Sequence, residues 1–195
     1  MVSATADGRV QRGARTRAAI VEALLVLLEQ DHGPPTARAV ADAAGVSLRS
    51  VFQHFPDMES LYGACVDRQF VRLAELRIPL DPAVAFADRV ASFVAQRARI
   101  YERIGPARRA ALVLATSSPV VRAGLADAAA EHRRVVAASF APELGSSDRR
   151  ELLAAVEVAT SFDTWDHLRR VQRCSTAASE RVVVRLVYGA LEGER

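Results

Sequence analysis

Apolar residues recur every three or four positions along most of the chain, the period of an α-helix rather than a strand. From Thr16 onward, Ile20, Leu24, Leu27 and Leu28 fall on one stripe at i, i+4, i+7 and i+8. Gly33 and then Pro34-Pro35 stop that first helix, because glycine tolerates the left-handed turn at a helix end and proline cannot continue the ladder. Thr36 caps a second, short helix over Ala37 to Ala44, with Val40, Ala43 and Ala44 facing inward, and Gly45 breaks it. Ser47 opens a third helix, since its hydroxyl can accept a backbone N–H that has no helical partner there. That helix carries Leu48 to about Phe55 and ends at Pro56, and Asp57 caps a long fourth helix running to about Ile78.

The remainder reads as helix after helix, punctuated by proline and glycine. Pro79 and Pro82 bracket a turn, and residues 83–104 carry Phe86, Val90, Phe93, Val94 and Ile100 on a broad apolar face. Gly105-Pro106 is expected to start a separate short helix from Ala107 to Thr116, and Ser118-Pro119 opens the next, to about Phe140. A loop with Pro142, Gly145 and Ser147 follows, then two final helices over 148–173 and 176–191, joined near Ser175. Val182-Val183-Val184 has the β-branched character of a strand. The helical period continues through it to Leu186-Val187, and nothing offers a partner strand. There is no internal repeat. The predicted fold is all-α.

Composition narrows the function classes without choosing one. Half of the 195 residues are hydrophobic and 25% are charged, which suits a globular protein with a true core. The formal net charge is +3, and every Lys/Arg position is an arginine. The absence of lysine and asparagine beside so much alanine is as consistent with a GC-rich coding sequence as with selection on chemistry. The pI of 9.4 therefore permits a nucleic-acid partner without demanding one. Cys65 and Cys174 provide neither a disulfide framework nor a metal-ligand spacing. No segment has the form of a signal peptide, and no uncharged apolar run approaches the roughly 20 residues of a membrane span. The expectation is a cytoplasmic protein without metal, cofactor or membrane contact.

Residues 36–55, TARAVADAAGVSLRSVFQHF, carry the chemistry. Two short helices joined by Ala44-Gly45-Val46-Ser47 have the layout of a helix-turn-helix, whose second helix enters the major groove. Arg49 projects from the first turn of that helix, and arginine can pair bidentately with guanine O6 and N7. Ser50, Gln53 and His54 are short or polar donors suited to phosphate oxygens. A helical corner of this kind also serves as a packing device, so the pattern alone leaves both readings open.

From Arg17 to Leu61 the chain resembles the N-terminal domain of the tetracycline-repressor-like (TetR) family. The matching residues are Ile20, Thr36, Val40-Ala41, Ala44-Gly45-Val46-Ser47, Ser50, Phe52, His54-Phe55-Pro56, Glu59 and Leu61. Residues 1–14, small, polar and basic, read as a flexible arm, and the resemblance implies a three-helix DNA-binding domain over 15–61 and a helical ligand-sensing and dimerisation domain over 62–195. It also implies a recognition helix over 47–55, including Ser47, Leu48 and Gln53. Thr36, Ser50 and His54 would touch phosphates, Arg38 and Arg49 would be candidates for base contact, and Arg15 and Arg17 would lie near the minor groove or backbone. The arm, with Arg9 and Arg12, reads equally as a solvated tail. Two departures stand out. Phe52 replaces the family's usual tyrosine, and Met58 its usual lysine, removing a hydroxyl and a charged phosphate contact.

The C-terminal half resembles the family less specifically, although Ser161 to Arg169 is similar to its penultimate helix. The resemblance implies a dimer built from the last two helices, for which Leu152, Val156, Ala159, Val183, Leu186, Val187 and Ala190 are candidates. It implies an effector pocket for which Phe70, Phe86, Phe93, Tyr101, Leu112, Thr116 and Phe162 are candidates. Each set has a plain alternative as intrachain core. The implied function is a homodimeric repressor on a palindromic DNA operator, responsive to a small-molecule effector. Two other readings remain. One is an enzyme using Asp163, Asp166 and His167, although no third ligand, G-x-S-x-G elbow or P-loop accompanies them. The other is a relative that has lost its DNA site.

Overall fold

The stripe that begins at Ile20 is the inner face of a helix longer than the apolar pattern marks. In the computed structural model, which describes residues 3–30, 34–145 and 149–192, α1 spans Ser3–Glu29. Residues 3–14, expected as an arm, belong to its first turns. Alanine and arginine are good helix formers, and a helix already nucleated by a packed segment extends at little cost. The expected stop at Gly33, with His32 and Ser147, lies outside the described residues.

Helices α2 (Ala37–Ala44), α3 (Leu48–His54) and α4 (Met58–Leu73) follow, each opened as the sequence predicts. The Thr36 hydroxyl accepts from the Ala39 N–H at 3.2 Å, and the Ser47 hydroxyl from Ser50 N–H at 3.1 Å. Asp57 accepts from Ser60 N–H at 2.7 Å, and this backbone donor holds its carboxyl below the ordinary range. Gly45 sits at φ 66°, the left-handed conformation that side chains resist. Helix α4 ends earlier than expected, in a 3-10 turn over Ala74–Leu76.

Two further boundaries differ from expectation. Helix α5 runs unbroken from Phe86 to Leu114 with Pro106 inside it. Proline removes a hydrogen bond and crowds the preceding turn, at about 3 kcal/mol. Apolar burial on both sides offsets this, by Phe93, Ile100 and Tyr101 before it and Ala107, Ala110 and Leu114 after it. The predicted helix over 148–173 is divided into α7 (Arg149–Ala159), α8 (Phe162–Asp166) and a π turn over His167–Val171. Here hydroxyls compete with the backbone ladder. Thr160 Oγ1 donates back to the Val156 carbonyl, and Ser161 Oγ accepts from Thr164 N–H. Helices α6 (Pro119–Ser139) and α9 (Thr176–Glu192) complete the all-α fold, and the described residues contain no strand.

The chain forms two compact units that do not follow a single cut in the sequence. The first comprises residues 1–72 and 106–125, the second 73–105 and 126–195. The first unit packs α1–α3 around Ile20, Leu24, Leu25, Val40, Val51 and Phe55. In α2 the buried pair is Val40 and Ala41, whereas Ala43, expected inward, is exposed. Helix α4 joins through Leu61 and Cys65, and burial pushes the Cys65 thiol up to about 12. Glu22 on α1 accepts from Arg68 at 2.8 Å and also from Arg72 on α4.

Within this unit α4 and α6 approach through glycines. A Cβ on Gly124 would meet Val66 Cγ1 at 2.6 Å, whereas one on Gly63 meets its nearest neighbour, Val120, at 3.4 Å. Both substitutions gain helix propensity of about 1 kcal/mol. Only Gly124→Ala overpacks a stiff β-branched side chain, at about 1–3 kcal/mol. Thermal unfolding of the two variants is expected to place Gly124→Ala below Gly63→Ala by that difference. Equal midpoints would show that Val66 yields without penalty.

The second unit is built on Phe93, Ile100, Tyr101, Phe140, Phe162, Trp165, Val183 and Val187. Tyr101 stands edge-on to Phe162 at 5.6 Å between ring centroids and donates its hydroxyl to the Thr160 carbonyl at 2.9 Å.

Candidate nucleic-acid interface

The turn of Gly45, the cap of Ser47 and the burial of Val51 and Phe55 fix which side of α3 faces out. Val51 anchors the inner side of α3 in the first unit's core. One helical turn of outer face is left, Arg49, Phe52 and Gln53 at i, i+3 and i+4, all exposed. Among the described residues Arg49 has no carboxylate within ion-pair distance. Its guanidinium is available to an outside acceptor. Phe52 is 46% exposed, a large apolar side chain standing in solvent between two polar ones.

The other predicted DNA-contact residues separate by environment. Arg15, Thr36, Arg38 and Ser47 are exposed, while Ser50 and His54 are half-buried. Arg38 faces Asp42 at 3.8 Å, a loose surface pair that an incoming phosphate can displace. Leu48 is half-buried and packs against the core of the first unit, so its side chain supports α3 rather than facing outward. Met58 packs there too, an apolar role that a lysine's charged end would not take.

Two residues of α1 adjoin α3. Gly13 approaches the His54 ring, with a Cβ position 3.9 Å from Cε1, so the early turns of α1 lie beside the end of α3. Arg17 stacks over the Phe55 ring at 4.6 Å to the centroid, which ties its guanidinium to the protein. The apolar period of α1 begins only at Ile20, and composition gave residues 3–14 the look of a tail.

Residues 20–65 match the family described as bacterial regulatory proteins, tetR family. This span contains α2, α3 and the inward face of α1, the elements that fix the outward stripe. Residues 20–65 therefore form a tetR-family segment. The helix-turn-helix of α2 and α3 lies wholly within this match to bacterial regulatory proteins. The fold agrees. A transcriptional regulator from Rhodococcus sp. Rha1 superposes with a TM-score of 0.69 at 19% identity, over 91% of this chain and 96% of that one. A tetR-family transcriptional regulator from Streptomyces coelicolor gives 0.68 at 17% identity, over 91% and 79%. No curated protein matches in sequence.

The seven candidate pocket residues are shared between the two units. Phe93, Tyr101 and Phe162 are buried in the second unit, with Phe86 half-buried against Tyr188 at 5.1 Å. Phe70, Leu112 and Thr116 belong to the first unit, where Leu112 is 42% exposed and the Thr116 hydroxyl donates to the Val113 carbonyl at 2.7 Å.

The candidate interface residues also need correction. Val156, Ala159, Val183 and Val187 are buried inside the protomer, and Leu152 and Ala190 pack against the same core. Of the seven only Leu186 is exposed. These stripes pack into the protomer's own core. The exposed faces lie one position round: Ala154, Ala155 and Val158 on α7, and Leu186 and Gly189 on α9.

Asp163 and His167 are exposed and Asp166 half-buried, and among the described residues no three His, Cys, Asp or Glu groups converge to hold a metal. No described helix is long and apolar enough to cross a membrane.

Proposed function

We propose that the chain is a ligand-responsive repressor that binds a palindromic DNA operator as a homodimer. The observation that carries the operator reading is the outward stripe of α3, an unpaired arginine, an apolar ring and an amide on one helical turn. Arg49 would pair with guanine, Gln53 would contact a base or phosphate, and Phe52 would lie against a thymine methyl. Thr36 and Ser50 would position the helices on the phosphates, with Arg15 and Arg38 adding charge and His54 a further donor.

The homodimer reading rests on α7 and α9, which pack together and expose Ala154, Ala155, Val158 and Leu186. Small residues allow close approach of helices, and a two-fold protein matches two half-sites. The effector would act by population shift, favouring a conformer that binds the operator less well by its differential affinity.

The test titrates purified protein against the duplex upstream of its own gene, with scrambled competitor, at two salt concentrations. Binding that survives the competitor, with protected half-sites about 34–36 Å apart or a multiple of that, is the expected result. Failure there and in a random-sequence selection would give the lead to a relative that has lost DNA binding through Phe52 and Met58.

A further inference from the structure

Two arginines are buried in the second unit, and the fold treats them differently. Arg89 is matched by Glu143. Arg97 is 4% exposed, and among the described residues no carboxylate stands within ion-pair distance of it. Its Nη1 and Nη2 atoms meet a ring nitrogen, a backbone carbonyl and a side-chain amide. Nη1 reaches His132 Nδ1 at 3.4 Å, and Nη2 donates to the Leu76 carbonyl at 3.3 Å and to Gln96 Oε1 at 2.8 Å. Nε is buried without an acceptor. Beneath the guanidinium lies the Phe93 ring, 5.2 Å to its centroid.

This arrangement is unsettled for a cation. Buried charges are normally paired or ligated, and an orphaned buried donor calls for a partner. Two of the three bonds are longer than the usual range for an N–H donor. Burial also lowers the proton affinity of Arg97, opposed by the charge and hydrogen bond of Tyr101 and by the charge of Glu131. An anion brought to Nε and Nη2 would answer all of these at once, because a carboxylate matches the guanidinium fork in geometry and charge.

We infer that Arg97 anchors the carboxylate of a small aryl acid, and that this acid is the effector; the inference rests on the ligand-responsive reading above. The carboxylate takes the unpartnered Nε–H and replaces the Leu76 carbonyl on Nη2. Phe93 and Tyr101 supply the aromatic surroundings. The exchange also explains how binding is felt elsewhere. Arg97 and Gln96 together hold the carbonyls of Leu76 and Ile78, the latter at 3.0 Å, in the irregular stretch that directly continues α4. The site opens by releasing that stretch, so acid binding and detachment of residues 76–78 from α5 are one event.

The experiment uses the full chain with benzoate, phenylacetate and 4-hydroxybenzoate, each beside its uncharged amide, with sodium chloride as the ionic control. Thermal unfolding and calorimetry read binding, and fluorescence anisotropy of the selected operator duplex reads release. At least one acid is expected to bind about tenfold more tightly than its amide, the advantage of a charge-assisted over a neutral hydrogen bond. In Arg97→Met that advantage vanishes. If Arg97→Met does not fold, Arg97→Lys decides: it keeps the charge but loses the fork, and must weaken the acid while leaving the amide unchanged. Acids that never differ from their amides, a shift reproduced by chloride alone, or acid binding indifferent to position 97 would overturn the assignment. Acid binding through Arg97 with operator affinity unaltered keeps the site and removes its regulatory role. Operator release by a neutral compound, with no acid binding, does the reverse.

Discussion

Removing the Glu143 carboxylate is expected to destabilise the protein by about 3–5 kcal/mol, the penalty for leaving a buried charge without its partner. Arg89 is 2% exposed, and its side chain donates to the Pro82 and Val84 carbonyls at 2.5 and 2.6 Å and to Glu143. It lies beside the rings of Phe86 and Phe140, each 5.9 Å from its guanidinium carbon. The cation cannot follow a lost carboxylate into water without leaving these contacts. For a chain of this length, the loss corresponds to a midpoint fall of roughly 6–20 °C in thermal unfolding.

Two comparisons make this specific. Asp42→Ala removes a carboxylate from a pair whose members are 73% and 70% exposed, and it should change stability by less than about 0.5 kcal/mol. Replacing both charges, Arg89→Met with Glu143→Leu, should recover much of the loss, because an apolar pair needs no desolvated charge. A single Glu143→Ala variant as stable as Asp42→Ala would mean that Arg89 is not held where the fold places it.

The second large effect is on DNA. Arg49→Ala is expected to weaken operator binding by about 1–3 kcal/mol, roughly 5–150-fold in Kd. Preference at one base position should relax with it. Arg49 is exposed on the outer turn of α3, so its loss should leave unfolding unchanged. Arg38→Ala tests the neighbouring position on α2. A phosphate contact would behave otherwise, weakening all sequences alike and reducing the salt slope by about one. Competition binding against single-base operator variants separates the two, and uniform weakening would reassign Arg49 to the backbone.

Much of the candidate interface was legible in the residues themselves, because its signals are local. Thr36, Gly45, Ser47 and Pro56 act through their own backbone geometry and nearest N–H groups, so α2 and α3 begin and end where the pattern predicts. The outward position of Arg49 follows from helical period once Val51 is known to be inside. The TetR-like motif lies in this same stretch, and the family match covers it.

What the tertiary structure alone decided is which apolar or charged group meets which. The stripes of α7 and α9 were visible, yet Val156 and Val187 face their own core, and no periodicity distinguishes a home core from a partner's surface. Pro106 reads as a breaker in any sequence, and only burial on both sides of it keeps α5 whole. Arg89 and Arg97 look alike as letters. One meets Glu143, 54 residues away, and the other has no carboxylate within ion-pair distance among the described residues. Local propensity sets a helix, but the pairing of buried charges depends on contacts between distant segments, which exist only after the chain has folded.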